Sequence, residues 1–194
     1  MSDGKKNVNS ETHIFHLRLL SLLSWLLSAL LIYIASFLPL FDSSPYLLIS
    51  RDSWSSPLLR WDAFHFSHVA QSGYVYEHQW AFFPGAPFIM RTLAYFSSLV
   101  TGQVEKDVLS WSSLMASGML ACCFTGSTIT LYRLTLHHTR SPTVSYLTAL
   151  LSLIPTSPVT LRFVAYTEPF FTYLSYSGAY TWSFLSYHTI DTQR

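Results

Sequence analysis

Charged residues are scarce. Only 11% of this 194-residue chain is Asp, Glu, Lys or Arg, where an ordinary soluble domain carries about a quarter. The missing charge is concentrated in a few long stretches that have none, which is how a membrane protein reads. The formal net charge is +1, so there is neither a basic field for nucleic acid nor an acidic tail. Cysteine is nearly absent. Cys122 and Cys123 are adjacent inside an apolar run, an arrangement that makes neither a disulfide framework nor a zinc site, and they read as small packing residues. Internal repeats and low-complexity linkers are also missing. What remains is rich in apolar and aromatic side chains, at 50% and 16% of the chain.

The charge-free runs define the expected architecture, an all-α polytopic membrane protein. Residues 19–41 are long enough to cross a bilayer core of about 30 Å as a helix. Lys5, Lys6 and Arg18 precede this run. It is too long for a cleaved signal peptide and ends in Phe37-Leu38-Pro39-Leu40-Phe41, so it reads as a signal anchor with residues 1–18 in the cytoplasm. Further spans are expected at 108–132, at 141–161 and, least apolar, at 169–187. Pro142 suits a helix start, and Pro155 and Pro158 suit a kink or an end. The segment 81–104 is apolar but carries Arg91 in its middle, and charge at mid-bilayer is costly. If it does not span, the loop 133–140, with Arg133, His137, His138 and Arg140, faces the cytoplasm, as the positive-inside rule prefers. The segment is therefore expected to lie in the interface, with Arg91 reaching toward headgroups. The loop 42–107 and the connection 162–168 then share the far face of the membrane. Residues 43–57, rich in Ser and Pro, read as loop.

The chemistry-bearing stretch is Arg60 to Arg91, which holds one Asp, one Glu, three His and two Arg among many aromatic residues. Asp62 is the first candidate for a general base, because a sugar hydroxyl attacks poorly unless a carboxylate accepts its proton. Its plainer reading is a helix N-cap before Ala63-Phe64-His65-Phe66. Glu77 and His78 would orient a polar substrate or complete an acid–base pair, or else stand as polar residues at a loop turn. His65 and His68, at i and i+3, share a helix face and with Glu77 or His78 offer only a weak metal-ligand pattern, without HExxH. Arg60, Arg91 and Arg162 would offset an anionic phosphate leaving group or snorkel to lipid. Trp61, Phe64, Phe66, Tyr74, Tyr76, Trp80, Phe82 and Phe83 suit an interfacial belt and equally suit stacking on sugar rings. Glu168 is either a boundary residue or a second site carboxylate. No glycine-rich nucleotide loop, P-loop or GxSxG elbow is present, which argues against a soluble nucleotide-sugar donor.

Two ordered groups of residues carry a family resemblance. The first is Arg60-Trp61-Asp62-Ala63, His65-Phe66, Gly73-Tyr74, Tyr76-Glu77-His78, Ala81-Phe82-Phe83-Pro84-Gly85 and Pro87. The second is Ser157-Pro158, Tyr166-Thr167-Glu168, Phe170-Phe171, Ser177-Gly178 and Tyr180. Together they resemble the first lumenal loop and the region after the third span of the GPI mannosyltransferase 2 family, with Thr167 where Ser is usual. The resemblance covers roughly residues 17–187. It implies a GT-C-like fold in the endoplasmic reticulum membrane, with a large first lumenal loop carrying interfacial helices. The implied reaction moves the second mannose from dolichyl-phosphate-mannose to a mono-mannosylated GPI precursor. The linkage is α1,6 and forms by inversion in a single displacement. Asp62 is implied as the catalytic base, and Glu77, His78 and Glu168 as site residues with less defined roles. Arg60, Trp61, His65 and Arg91 join them as substrate-binding candidates on their own chemistry. No cofactor or obligatory metal is implied. The implied partners are the lipid-linked donor and acceptor. Membrane lipids surround the spans, and an accessory membrane subunit is left open as a further partner. The family is longer, so the chain is expected to be truncated, and on its own not to catalyse, since holding two lipid-linked substrates in register needs a rigid supporting shell. The alternative is a non-catalytic accessory or scaffold protein that keeps the front half of the family. A small transporter ranks last, because the spans carry mainly Ser and Thr as polar residues.

Overall fold

The computed structural model describes residues 3–38, 62–101, 108–154 and 166–191. Among them every regular element is helical and no strand occurs. In chain order these are α1 (Asp3–Ser36), α2 (Asp62–Ser72), a 3-10 turn (Glu77–Ala81), α3 (Gly85–Thr101), α4 (Val108–Thr139), α5 (Pro142–Leu153) and α6 (Glu168–Asp191). They fall into two compact units. One comprises Met1–Trp25, Cys122–Thr156 and Glu168–Arg194, and the other Leu26–Ala121 and Ser157–Thr167.

Helix α1 begins well before residue 19 and gives way to a turn at Phe37 and Leu38. Its segment Ser10–Ala35 is, among the described residues, the one helix both long and apolar enough to cross a membrane. At 26 residues it reaches roughly 39 Å, more than the hydrocarbon core requires. The helix is also inside-out relative to one in water. Ser21 and Ser28 are buried, at 0% and 4% exposure, while Leu22, Leu23, Leu26, Leu27, Leu30 and Leu31 stay 44–58% exposed. A water-facing helix does the reverse. Small hydroxyl residues turned to neighbouring helices, with leucine turned outward, is the pattern of packing within lipid.

In the first unit, Ile14 and Leu17 of α1 pack with Tyr132 of α4 and with Ala149 and Leu153 of α5. Ser21 Oγ lies 2.8 Å from Thr125 Oγ1, an interhelical hydrogen bond of the kind worth about 1 kcal/mol in a membrane. The Tyr132 hydroxyl donates to Ser10 Oγ at 3.5 Å and lies 3.4 Å from His13 Nδ1. Helix α4 meets α6 closely. A Cβ on Gly126 would stand 2.8 Å from Cε2 of Tyr173.

The stretch 133–140, expected as a loop, is helical as far as Thr139. Leu134 and Leu136 continue the apolar pattern, and nothing breaks a helix before Pro142. Arg140 then takes a left-handed conformation (φ 53°) and donates its N–H to the Leu136 carbonyl at 2.9 Å, the usual way a helix ends. His137 and His138 thus sit in the last turn of α4, where positive charge suits the helix dipole. Ser141 caps α5 by accepting the Val144 N–H, with Pro142 in the first turn. Helix α5 stops at Leu153 rather than running to 161. Its 12 residues reach roughly 18 Å. Ile154 is extended (φ −78°, ψ 119°), as steric clash with a following proline demands. Residues 155–165 lie outside the described residues.

In the second unit, α2 and α3 form a helical hairpin closed by the 3-10 turn. Ala63, Phe66 and Ala70, at i, i+3 and i+7, present one face to Ala86 and Met90 of α3, and Tyr166 completes the cluster. Gly73 ends α2 in the left-handed region (φ 78°), its N–H bonded to the Val69 carbonyl at 2.9 Å. Helix α3 occupies 17 residues of the segment 81–104. It leaves Phe88, Tyr95, Phe96 and Leu99 exposed, with Arg91 exposed among them.

Candidate active site

Asp62 opens α2 with an exposed side chain. A carboxylate in a first helical turn is favoured by the unpaired N–H groups there. The Asp62 backbone N–H donates to the Tyr166 hydroxyl at 3.2 Å, so the start of the helix is held by a side chain 104 positions along the chain. His65 lies one turn further on the same helix face. Its ring stacks on Phe82 at 4.9 Å between centroids and meets His78 edge-on at 5.8 Å. Phe82 in turn packs edge-on against Phe66, and Phe66 against Tyr166. Asp62, His65 and His78 are therefore linked through one continuous aromatic cluster.

The turn that presents Glu77 and His78 is organised by Gln79. This side chain is 2% exposed. Its Oε1 accepts the N–H groups of Val75 and Tyr76 at 2.8 and 3.1 Å, and its Nε2 lies 2.8 Å from His68 Nδ1. That contact makes Nδ1 the acceptor when the amide donates, leaving the ring proton of a neutral His68 on Nε2. Rings stack over the same turn. Tyr76 lies parallel to His78 at 5.6 Å, and Tyr74 to Trp80 at 4.7 Å, while the Tyr74 hydroxyl donates to the Phe82 carbonyl at 2.8 Å. Glu77 and His78 are left exposed at the surface of this scaffold.

The remaining candidates have no contact of their own in this cluster to describe. Arg91 is exposed on α3, next to the buried Met90. Glu168 is exposed in the first turn of α6, in the other compact unit. Arg60, Trp61 and Arg162 lie outside the described residues, and so do residues 42–61 of the expected loop. His65 and His68 do not converge on one point. His65 faces Phe82 and His78, and His68 faces Gln79 and Tyr76. Among the described residues no group of three His, Cys, Asp or Glu side chains is arranged to hold a metal ion.

Residues 12–189 match the family described as Mannosyltransferase (PIG-V). The chain belongs to this mannosyltransferase family. A GPI mannosyltransferase 2 of Cryptococcus neoformans is 42% identical over 146 residues, covering 74% of this chain and 32% of the relative. One of Chaetomium globosum is 31% identical over 190 residues, covering 86% and 40%. The rat GPI alpha-1,6-mannosyltransferase 2 is 31% identical over 122 residues, covering 62% and 24%. The chain thus spans about a third of the length of the first two. No solved structure matches it.

Within this mannosyltransferase-family chain, two structural residues escape a reading by charge and motif. Gln79 is a lone amide in an aromatic run, and its three hydrogen-bond partners are set only by the turn. Tyr166 stands in the second motif, yet nothing in the local sequence connects it with Asp62. The signal available for both was the same: a polar group within an apolar segment that must find a partner when buried.

Proposed function

We propose that this chain carries the catalytic base of a GPI α1,6-mannosyltransferase of the endoplasmic reticulum membrane, with a GT-C-like arrangement and loop 42–107 in the lumen. The observation that carries the reading is the family match over 12–189, which takes in an exposed Asp62 standing beside a cluster of aromatic and His side chains. The donor is dolichyl-phosphate-mannose and the acceptor a mono-mannosylated GPI precursor. The acceptor's 6-hydroxyl oxygen forms a bond to the anomeric carbon as the bond from that carbon to the dolichyl phosphate oxygen breaks. The hydroxyl proton passes to the Asp62 carboxylate, and the dolichyl phosphate leaves as the anion. One displacement inverts a β-linked donor to an α product.

The other residues serve binding. His65, His78, Tyr76 and Phe82 offer ring faces to the sugars. Glu77 and Glu168 accept hydrogen bonds from sugar hydroxyls, with Arg60 and Trp61 adjoining the base in sequence. Arg91 offsets phosphate charge, a task that needs no metal. EDTA should therefore leave transfer unchanged in a microsomal assay.

The test is a graft. Residues 12–189 replace the matching segment of the Cryptococcus neoformans relative, and the product is expressed in cells lacking that enzyme. Surface GPI-anchored proteins should return with the unmodified graft. They should be lost with Asp62→Asn at equal protein level, a base being worth about 10²–10⁴-fold. An inserted graft that never restores anchoring, or an Asp62→Asn graft that restores it fully, would overturn the proposal.

A further inference from the structure

The first N–H groups of any helix have no partner within it. They are usually satisfied by a side chain just before the helix. At α2 the N–H of the first helical residue is satisfied from far away, by the hydroxyl of Tyr166 at 3.2 Å. That residue is buried to 7% exposure, although it precedes an exposed stretch at Glu168. Its ring is fixed edge-on against Phe66, one turn into the same helix, and belongs to the cluster with Ala63, Phe66, Ala70, Ala86 and Met90. The ring thus locks the helix laterally, and the hydroxyl locks its first residue. The residue held by both is Asp62.

We propose that Tyr166 is the positioning residue for Asp62. The inference rests on the reading of Asp62 as the base. Its hydroxyl oxygen accepts the backbone N–H of the residue that carries the carboxylate, and so fixes the first turn of α2 against rotation and fraying. Tyr166 has no proton-transfer part and touches no substrate. It acts by restricting where the carboxylate can stand, and a misplacement of about 1 Å at a reacting group can cost about 10²-fold in rate. The ring packs on the apolar face of α2, in the cluster with Ala63 and Phe66, whereas the hydroxyl is the group that bonds the backbone N–H of Asp62 itself.

Two measurements test the proposal. The first uses the 194-residue chain itself in lipid nanodiscs and reads hydrogen–deuterium exchange. Tyr166→Phe keeps the ring on Phe66 and removes only the hydroxyl. Exchange should speed up at Asp62 and its immediate neighbours and stay unchanged across Val69 to Met90. Unchanged exchange at Asp62 would overturn the tie. Speeding across the whole hairpin would show a structural loss instead and would equally overturn the proposal.

The second uses the graft described above and measures kinetics per mole of inserted protein. Tyr166→Phe should lower kcat by about 10- to 100-fold with the KM for both lipid substrates within two-fold of the unmodified graft. A purely structural residue would lower protein level and leave kcat per mole intact, and that result would overturn the proposal. If Asp62→Asn is inactive and Tyr166→Phe is normal, the base stands and the positioning role falls. If Asp62→Asn retains full activity, the base reading falls and takes this proposal with it.

Discussion

Gln79 shows how a neutral residue can govern charged ones. Its amide oxygen holds two consecutive backbone N–H groups, and its nitrogen meets His68, all at a buried position. Replacing it by leucine of similar bulk would remove the partner of the Val75 and Tyr76 donors, and a typical intramolecular hydrogen bond contributes about 0.5–1.5 kcal/mol. Gln79→Leu should therefore loosen the turn over residues 74–82 while α2 and α3 stay paired through Ala63, Phe66, Ala86 and Met90. Limited proteolysis should show new cleavage within 74–82, and equal resistance of variant and parent there would count against this role. Glu77→Gln, which removes an exposed charge from the same turn, should leave proteolysis unchanged.

At the scale of elements, the ends of the helices follow local rules closely. Gly73 closes α2 at φ 78° with open space around its Cα. Here Gly73→Ala meets no steric neighbour and should still destabilise by about 1 kcal/mol, because an L-residue is strained in that conformation. Thermal unfolding in detergent should report the loss. Gly126 presents the opposite case. It has no unusual backbone geometry, but a Cβ there would reach Tyr173 at 2.8 Å. Gly126→Val should force the Tyr173 ring to move and disturb the approach of α4 to α6, which a change in Tyr173-to-Trp fluorescence in the 170–186 region would register. A conformational penalty and a packing penalty thus fall on two glycines that look alike in sequence. The basic end of α4 stays helical to Thr139 although the charge-free run ends before Arg133. Charge bounds an apolar run without ending a helix, because basic side chains are tolerated in a last helical turn.

For the whole molecule, the positively charged flanks and α1 make an expectation about topology. By that expectation residues 1–18 and the corner around Arg140 would lie in the cytoplasm and loop 42–107 on the opposite face. A glycosylation acceptor inserted near Ser53 should be modified in microsomes, and one inserted at the Thr139–Ser141 corner should not. Modification at the corner would reverse the reading of 81–104 as a segment that stays in the interface. The outward leucines of α1 and the buried Ser21 and Ser28 are consistent with lipid as its surroundings, since in water this arrangement would expose apolar surface without gain.

Composition and spacing by themselves determined the class of this protein. Charge-free runs can only be accommodated in lipid or in a core, and helices are the form in which a single segment satisfies its own backbone there. They also drew attention to Arg60 to Arg91 as the candidate stretch for chemistry, because charged and His residues so close to a membrane span are costly to keep without use. Pro155 read as a kink or an end in the third apolar run, and α5 stops just before it at Leu153, since a proline's restraint acts on the residue that precedes it. The tertiary structure alone decided which residues meet. Tyr166 reaches Asp62 across 104 positions, and His65 chooses Phe82 and His78 while His68 turns to Gln79. Local sequence has no term for such pairings, because they are set by which faces of α2 and α3 pack and by the need of each buried polar group to find a partner.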